Sequence, residues 1–333
     1  MKILYTTRND KEKEYVSQKL WDHEIVFHNG TLEDGEWQGG GVECLSIFTD
    51  SKVGERELKK LPQLKFIATR STGFDHINLD LAKERGIKVA SVPAYGEHTV
   101  AEFAFALLLM LSRKMFPAHE KVVKDGSFSP EGLTGFDLCD KNVGVLGTGK
   151  IGKNFIKIAK GFGMKVTGFD LHPDQNFAKE VGFEYKPLEE VLANSDIISL
   201  HLPETTETHH ILNKEIVSKM KKGMIVINTA RGSLVETDAL VWGLKEGIVA
   251  GAGLDVLDEE GFVADEMRLL ENKHPKEEEL RTLLLNHYLI DHPNVIITPH
   301  NAFNTKEALQ RIIDITLENI LGFASGNFKN LVQ

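Results

Sequence analysis

An α/β protein of two parallel-sheet domains is the fold this sequence predicts, on three observations. Short apolar or β-branched runs alternate with helical patterns from one end of the chain to the other. Most of those runs lack strict polar alternation, as strands covered on both faces do. At 333 residues the chain is long for a single core and comfortable for two.

The elements follow in order. KILYTT (2–7), EIVFH (24–28), CLSIF (44–48), LKFIAT (64–69) and IKVASV (87–92) read as strands, with helical patterns at 12–21, 55–61 and 79–85. A long helix is expected over about 99–115. Its apolar positions are so dense that little of it can face water, which predicts burial at a domain or subunit interface. A second series comprises NVGVLG (142–147), KVTGFD (165–170), DIISLHL (196–202), MIVINTA (224–230), GAGLDV (251–256) and NVIITP (294–299). Helical patterns separate most of these runs, as βαβ units with right-handed crossovers require. Residues 306–323 form one amphipathic helix.

Composition excludes several classes of function. The formal charge is −10 and the basic residues are scattered, which argues against a nucleic-acid or anionic-membrane surface. Two cysteines, Cys44 and Cys139, make neither a disulfide framework nor a metal cluster, and two reduced, buried thiols are expected. The longest apolar run, FAFALLLML (103–111), is too short to span a bilayer. MKILYTT reads as a strand and not as a signal peptide, so a cytoplasmic protein is expected.

GVLGTGKIG (144–152) is the first stretch that carries chemistry. A strand precedes it, a helical pattern over 151–161 follows, and the next strand ends in Asp170. Gly147 permits the tight turn, Gly149 lets backbone approach a pyrophosphate, and Gly152 lets helix and strand pack closely. Thr148, Lys150 and Ile151 complete the loop, and the helix start offers free N–H groups and a positive dipole end. Asp170 can accept hydrogen bonds from a ribose 2′-hydroxyl and would repel a 2′-phosphate, so the expected cofactor is NAD. A structural βα turn is the plain alternative, and the assembled parts outweigh it.

Ligands of open parallel sheets bind beyond the carboxyl ends of strands. Arg231 follows MIVINTA, Glu260 follows GAGLDV, and His300 follows NVIITP. Reduction of a 2-oxo acid beside a nicotinamide needs a cation for the carboxylate, and arginine binds one bidentately. It needs an acid for the forming alkoxide, and histidine titrates near working pH. It also needs a carboxylate to orient the imidazole and keep it protonated. Arg231, His300 and Glu260 meet the three needs. Taken singly, each has a structural explanation; together, behind a dinucleotide loop, they make a catalytic set.

RSTGFDHI (70–77), VPAYGEHTVAE (92–102), GVLGTGKIG, HLPETTETHHILN (201–213), INTARGSLVETDAL (227–240), GLDVLDEEG (253–261) and TPHNAFNT (298–305) are the stretches by which the chain resembles the D-isomer-specific 2-hydroxyacid dehydrogenases, over nearly its whole length. That resemblance implies Rossmann/flavodoxin-like domains, with the NAD domain inserted into a discontinuous substrate domain and the site in a cleft. The substrate domain would be 1–100 with 300–333, and the NAD domain 101–299. It assigns Arg231 to the substrate carboxylate, His300 to acid/base chemistry and Glu260 to its partner. It puts Thr72 and Gly73 in a loop whose N–H groups hold the carboxylate, and Asp255 near the nicotinamide. Leu202, Pro203, Thr229 and Ala230 would line the cofactor. Tyr95 and Phe303, together with the long insert before His300, bring the D-lactate dehydrogenase branch nearest, with pyruvate as expected substrate and Phe48–Val53 as a pocket wall. Gly261 stands where many relatives have proline. A homodimer through the helix near Val100–Met115 is also implied, with a monomer that buries that helix internally as the competing reading. The alternatives are another 2-oxo acid (phenylpyruvate, glyoxylate, hydroxypyruvate or a branched acid) and an NAD(H)-sensing corepressor-like binding protein.

Overall fold

The computed structural model describes residues 1–258 and 277–332. The chain divides into two compact units, Met1–Tyr95 with Thr305–Gln333, and Gly96–Asn304.

The first unit begins β1 (Lys2–Thr6), α1 (Asp10–Lys19), β2 (Glu24–His28), β3 (Val42–Ile47), α2 (Glu55–Lys60), β4 (Phe66–Thr69), α3 (Leu79–Glu84) and β5 (Lys88–Ala90). The Asn9 side chain accepts from the N–H groups of Lys11 and Glu12 to start α1, and the Asn78 side chain accepts from the Leu81 N–H to start α3. The five strands are parallel in the order β2-β1-β3-β4-β5. Successive side chains leave a strand on opposite faces. Leu4, Leu45, Ile67 and Val89 accordingly enter one core with α2 and α3, while Ile3, Tyr5, Cys44 and Phe66 enter another.

The second unit runs α4 (Glu97–Ser112), α5 (Met115–Asp125), β6 (Asn142–Leu146), α6 (Lys150–Gly161), β7 (Lys165–Phe169), α7 (Gln175–Val181), β8 (Glu184–Tyr185), α8 (Leu188–Asn194), β9 (Ile197–Leu200), α9 (Lys214–Ser218), β10 (Met224–Asn228), α10 (Thr237–Lys245), β11 (Val249–Leu254), α11 (Glu277–Ile290) and β12 (Val295–Ile297). Its parallel sheet has the order β12-β11-β10-β9-β6-β7-β8. The strand order reverses between β6 and β9, the place where doubly wound sheets bind ligands. The chain then returns to the first unit as α12 (Lys306–Ser325), capped by the Thr305 hydroxyl. Leu317 and Ile320 of α12 close the second core of that unit, and Phe323 stacks on Phe66 at 4.5 Å.

The long apolar helix is shorter than expected. It stops at Ser112, because Lys114 takes a left-handed backbone (φ 47°) and a new helix starts at Met115. Pro117 in the first turn of α5 suits that start, where no N–H is needed. In addition, Ala104, Leu107 and Leu108 of α4 are buried in their own unit against Phe155 and Ile156 of α6 and the sheet. Exposed apolar side chains cluster on α5 and just beyond it, at Met115, Phe116, Val122, Val123 and Phe128. The thiols also divide: Cys44 is buried, but Cys139 is exposed, correcting the expectation of two buried ones. It sits in the turn before β6, where the backbone crosses the surface. No described helix is long and apolar enough to cross a membrane.

Candidate active site

The glycine loop closes the β6–α6 junction. Gly147 has φ +90°, and a Cβ there would lie 2.7 Å from the His201 carbonyl carbon at the end of β9. A Cβ on Gly152 would meet the Gly147 oxygen at 2.1 Å, so only glycine lets helix and strand close up. Gly149 is different: nothing lies within 4 Å of the Cβ position, and no side chain caps α6 there. The first N–H groups of the helix, on Lys150, Ile151 and Gly152, therefore start beside open space. Asp170, just past β7, fastens the loop. Its Oδ2 accepts from the Thr148 N–H (2.6 Å) and hydroxyl (2.9 Å), and its Oδ1 from the His172 N–H (2.8 Å). Burial pushes this carboxyl up, but the donors outweigh it and hold the group below the usual range. A carboxylate with about four acceptor positions still has one to offer a ribose hydroxyl.

The neighbouring strand ends form a second group. Register pairs Asn228 of β10 with Leu254 of β11, and Leu254 with Ile297 of β12, in one row across the sheet. Arg231 and His300 each follow that row by three residues, on strands two places apart, or about 10 Å. The Asn228 amide braces the Arg231 turn: its Nδ2 donates to the Arg231 carbonyl (2.7 Å) and its Oδ1 accepts from the Ala230 N–H (3.0 Å). Between them Asp255 is fully buried. It accepts from the Thr298 hydroxyl (2.5 Å) and from the N–H groups of Asn301 and Ala302 (2.8 Å each). Burial pushes its carboxyl up, and these donors with the nearby His300 only partly oppose it. His300 itself takes a left-handed backbone, φ 49°, and its N–H donates to the Asp255 carbonyl at 2.8 Å. The 298–302 loop is thus wrapped around one buried carboxylate.

Leu202, nearly buried, and Pro203, exposed, follow β9, and Thr229 and Ala230 follow β10. Phe303 lies three residues past His300. Thr72, Gly73 and Tyr95 belong to the first unit. Glu260 and Gly261 lie outside the described residues.

Residues 105–302 match the family described as D-isomer specific 2-hydroxyacid dehydrogenase, NAD binding domain. The chain belongs to this family. It is 36% identical to the D-lactate dehydrogenase of Escherichia coli over 331 residues, 98% of each chain. It is 40% identical to an aromatic 2-oxoacid reductase of Clostridium sporogenes over 294 residues, 87% of this chain and 86% of that one. The crystal structure of a D-lactate dehydrogenase from Aquifex aeolicus, complexed with NAD and lactic acid, superposes with a TM-score of 0.87 at 35% identity, covering 99% of this chain and 98% of that one.

As a D-2-hydroxyacid dehydrogenase of the D-lactate-dehydrogenase-like kind, the chain is an NAD-using oxidoreductase acting on CH–OH. Its residues fit that cofactor. The open position at Gly149, the tight positive-φ turn at Gly147 and the buried Thr229 hydroxyl, unpartnered among the described residues, all lie beyond the carboxyl ends of strands. Sequence reasoning missed Asn228 and Thr298 as supports, although both stand inside the quoted motifs. It also missed His201, whose ring is packed on Phe155 and bonded to the Ser199 hydroxyl (2.9 Å). Burial lowers this imidazole to about 3, so it stays neutral beneath the glycine loop.

Proposed function

We propose that this dehydrogenase interconverts pyruvate and D-lactate. The observation that carries the reading is the row of strand ends that sets Arg231 and His300 on either side of the buried Asp255. The guanidinium of Arg231 takes the substrate carboxylate bidentately, and the backbone N–H groups of Thr72 and Gly73 take it too. NADH, when bound, supplies the hydride for the keto carbon. His300 donates its proton to the forming alkoxide oxygen, so one hydride and one proton reduce the ketone to the D-alcohol. Glu260 keeps the imidazole protonated, and Asp255 holds the backbone that presents it. Tyr95, Phe303 and the 48–53 segment shape the substrate end. Asp170 selects NAD over NADP, while the 147–152 loop, Leu202, Pro203, Thr229 and Ala230 line the cofactor.

A second reading rests on the aromatic 2-oxoacid reductase, which is 40% identical over 294 residues; in that reading the same residues of this chain act on an aromatic 2-oxo acid such as phenylpyruvate. Oxidation of NADH with pyruvate, phenylpyruvate, glyoxylate and 2-oxoisocaproate, with NADPH as control, separates the two. The highest kcat/KM with pyruvate supports the first reading and with phenylpyruvate the second. Tight NADH binding without turnover of any acid overturns both and favours a sensor.

We also propose a homodimer. The contact would run along the helix near Val100–Met115, whose Phe103, Leu109, Met110 and Leu111 are only half-buried, and on to the exposed apolar side chains of α5 and Phe128. Val123→Glu with Phe128→Glu should turn a dimeric mass into a monomeric one in light scattering; an unchanged mass refutes that surface.

A further inference from the structure

The loop after β4 contains a chain of hydroxyl groups whose direction is fixed. The Ser71 hydroxyl lies 2.6 Å from the Gly73 carbonyl oxygen, which can only accept, so the one Ser71 proton is used there. Thr69 Oγ1 lies 2.7 Å from Ser71 Oγ and must be the donor in that bond. His76 Nε2, 3.1 Å from Thr69 Oγ1, must then carry a proton and donate it. The order His76 Nε2–H, Thr69 O–H, Ser71 O–H, Gly73 C=O is the only one that satisfies all three contacts. Thr69 and Ser71 are buried, so water does not compete with these bonds. Bonds in such a row polarise one another and stiffen the group at its end.

The group at its end is the backbone that follows the bend after β4. Thr72 is held separately, its hydroxyl donating to the Val92 carbonyl at 2.7 Å. The N–H groups of Thr72, Gly73 and Phe74 have no hydrogen bond among the described residues. Consecutive free N–H groups in a fixed turn form a concave anion site. The same His76 accepts, through its carbonyl, from the Val53 N–H at 2.9 Å, so it also ties down the 48–53 segment.

We infer that Thr69 and Ser71 are positioning residues for the substrate carboxylate. They fix the Gly73 peptide so that the N–H groups of 72–74 stay presented, and the anion does not have to order them on binding. This rests on the reading that Thr72 and Gly73 hold the carboxylate.

The test uses Thr69→Val, Thr69→Ser, Ser71→Ala and Gly73→Ala in the full-length enzyme, with KM, kcat, the NADH dissociation constant and Tm measured for each. Losing one link of the row should raise KM for the 2-oxo acid about five- to tenfold. In Thr69→Val and Ser71→Ala, kcat and NADH affinity should stay within twofold. Thr69→Ser, which keeps the hydroxyl, should restore the wild-type KM. A fall in Tm with KM unchanged in both variants would mean the hydroxyls serve folding alone and would overturn the proposal. If Gly73→Ala still raises KM in that case, the loop holds the carboxylate without the relay. If Gly73→Ala leaves KM unchanged too, the assignment of Thr72 and Gly73 falls with it.

Discussion

Replacing Asp255 with asparagine tests how the 298–302 loop presents His300. An asparagine keeps one oxygen. Placed at the Oδ1 position, that oxygen still accepts from Thr298 and Asn301. The amide NH2 then faces the Ala302 N–H, donor against donor, in a buried place. Leaving such a donor unsatisfied costs about 1–3 kcal/mol. The two surviving bonds also weaken by about 1 kcal/mol each, since hydrogen bonds to a charged acceptor are stronger than those to a neutral one. Against this, a charge no longer has to be buried, and burial is the effect that raises this carboxyl. A net loss of about 2 kcal/mol remains, on a loop that already holds His300 left-handed at about 1–2 kcal/mol. About 2 kcal/mol is roughly a 30-fold change in population, so kcat/KM should fall about 30-fold, mainly through kcat. Tm should fall by roughly 4–8 °C for a unit of this size. Steady-state kinetics with pyruvate, a melting curve and a fluorescence titration with NADH read the three effects separately. A kcat within twofold of wild type would refute the idea that the buried carboxylate organises the loop.

Other expectations follow from the same geometry. His300→Gln should lower kcat about 10²- to 10⁴-fold while the NADH titration stays unchanged; near-normal turnover would remove His300 as the acid. Gly147→Ala places a Cβ 2.7 Å from the His201 backbone at φ +90°, so Tm should drop by several degrees and NADH affinity with it, about 1–3 kcal/mol of strain being involved; an unchanged Tm would contradict the tight turn. Asp170→Ala should raise the NADPH/NADH ratio of kcat/KM, and an unchanged ratio would count against Asp170 as selector. The two carboxylates also carry opposite pH signatures. Asp170 is lowered in the folded chain, so its contribution is complete above about pH 4 and is lost as pH falls through its folded value. Asp255 is raised, so the folded chain binds its proton more tightly and stability falls as pH rises from about 4 toward its folded value. Denaturant titrations of Asp170→Asn and Asp255→Asn against pH should lose slopes of opposite sign, and slopes of the same sign would refute the assignment.

Much of this architecture was legible in the sequence, because buried parallel strands are written as apolar, β-branched runs. MIVINTA and NVIITP end within three residues of the strands they predict. The break after Ser112 was not legible, since it depends on Lys114 adopting a left-handed backbone and on the Phe136 N–H bonding to the Ser112 carbonyl. The two-residue β8 is too short for any periodicity to register. At the site, glycines and charged residues announced themselves through spacing. Thr69, Ser71 and Asn228 did not, because a hydroxyl or amide reads alike in sequence whether it meets water or a buried carbonyl. Asp255 was visible as an acid, but the loop it binds lies 43 to 47 residues further on.

The return of α12 to the first unit bears on how the protein is made. Phe66 has no stacking partner until Phe323 is synthesised, and Ser91 waits for the Asn319 amide that donates to its carbonyl at 2.9 Å. Leu331 pairs with Ala90 at the open edge of β5. A nascent chain on the ribosome can therefore finish the unit of 96–304 while the earlier-made strands still expose one apolar face and an unpaired edge. The unit begun earlier is completed later, so premature termination near residue 305 would leave a folded Rossmann unit joined to a sticky, half-covered sheet. Quality control by chaperones would act on that sheet first.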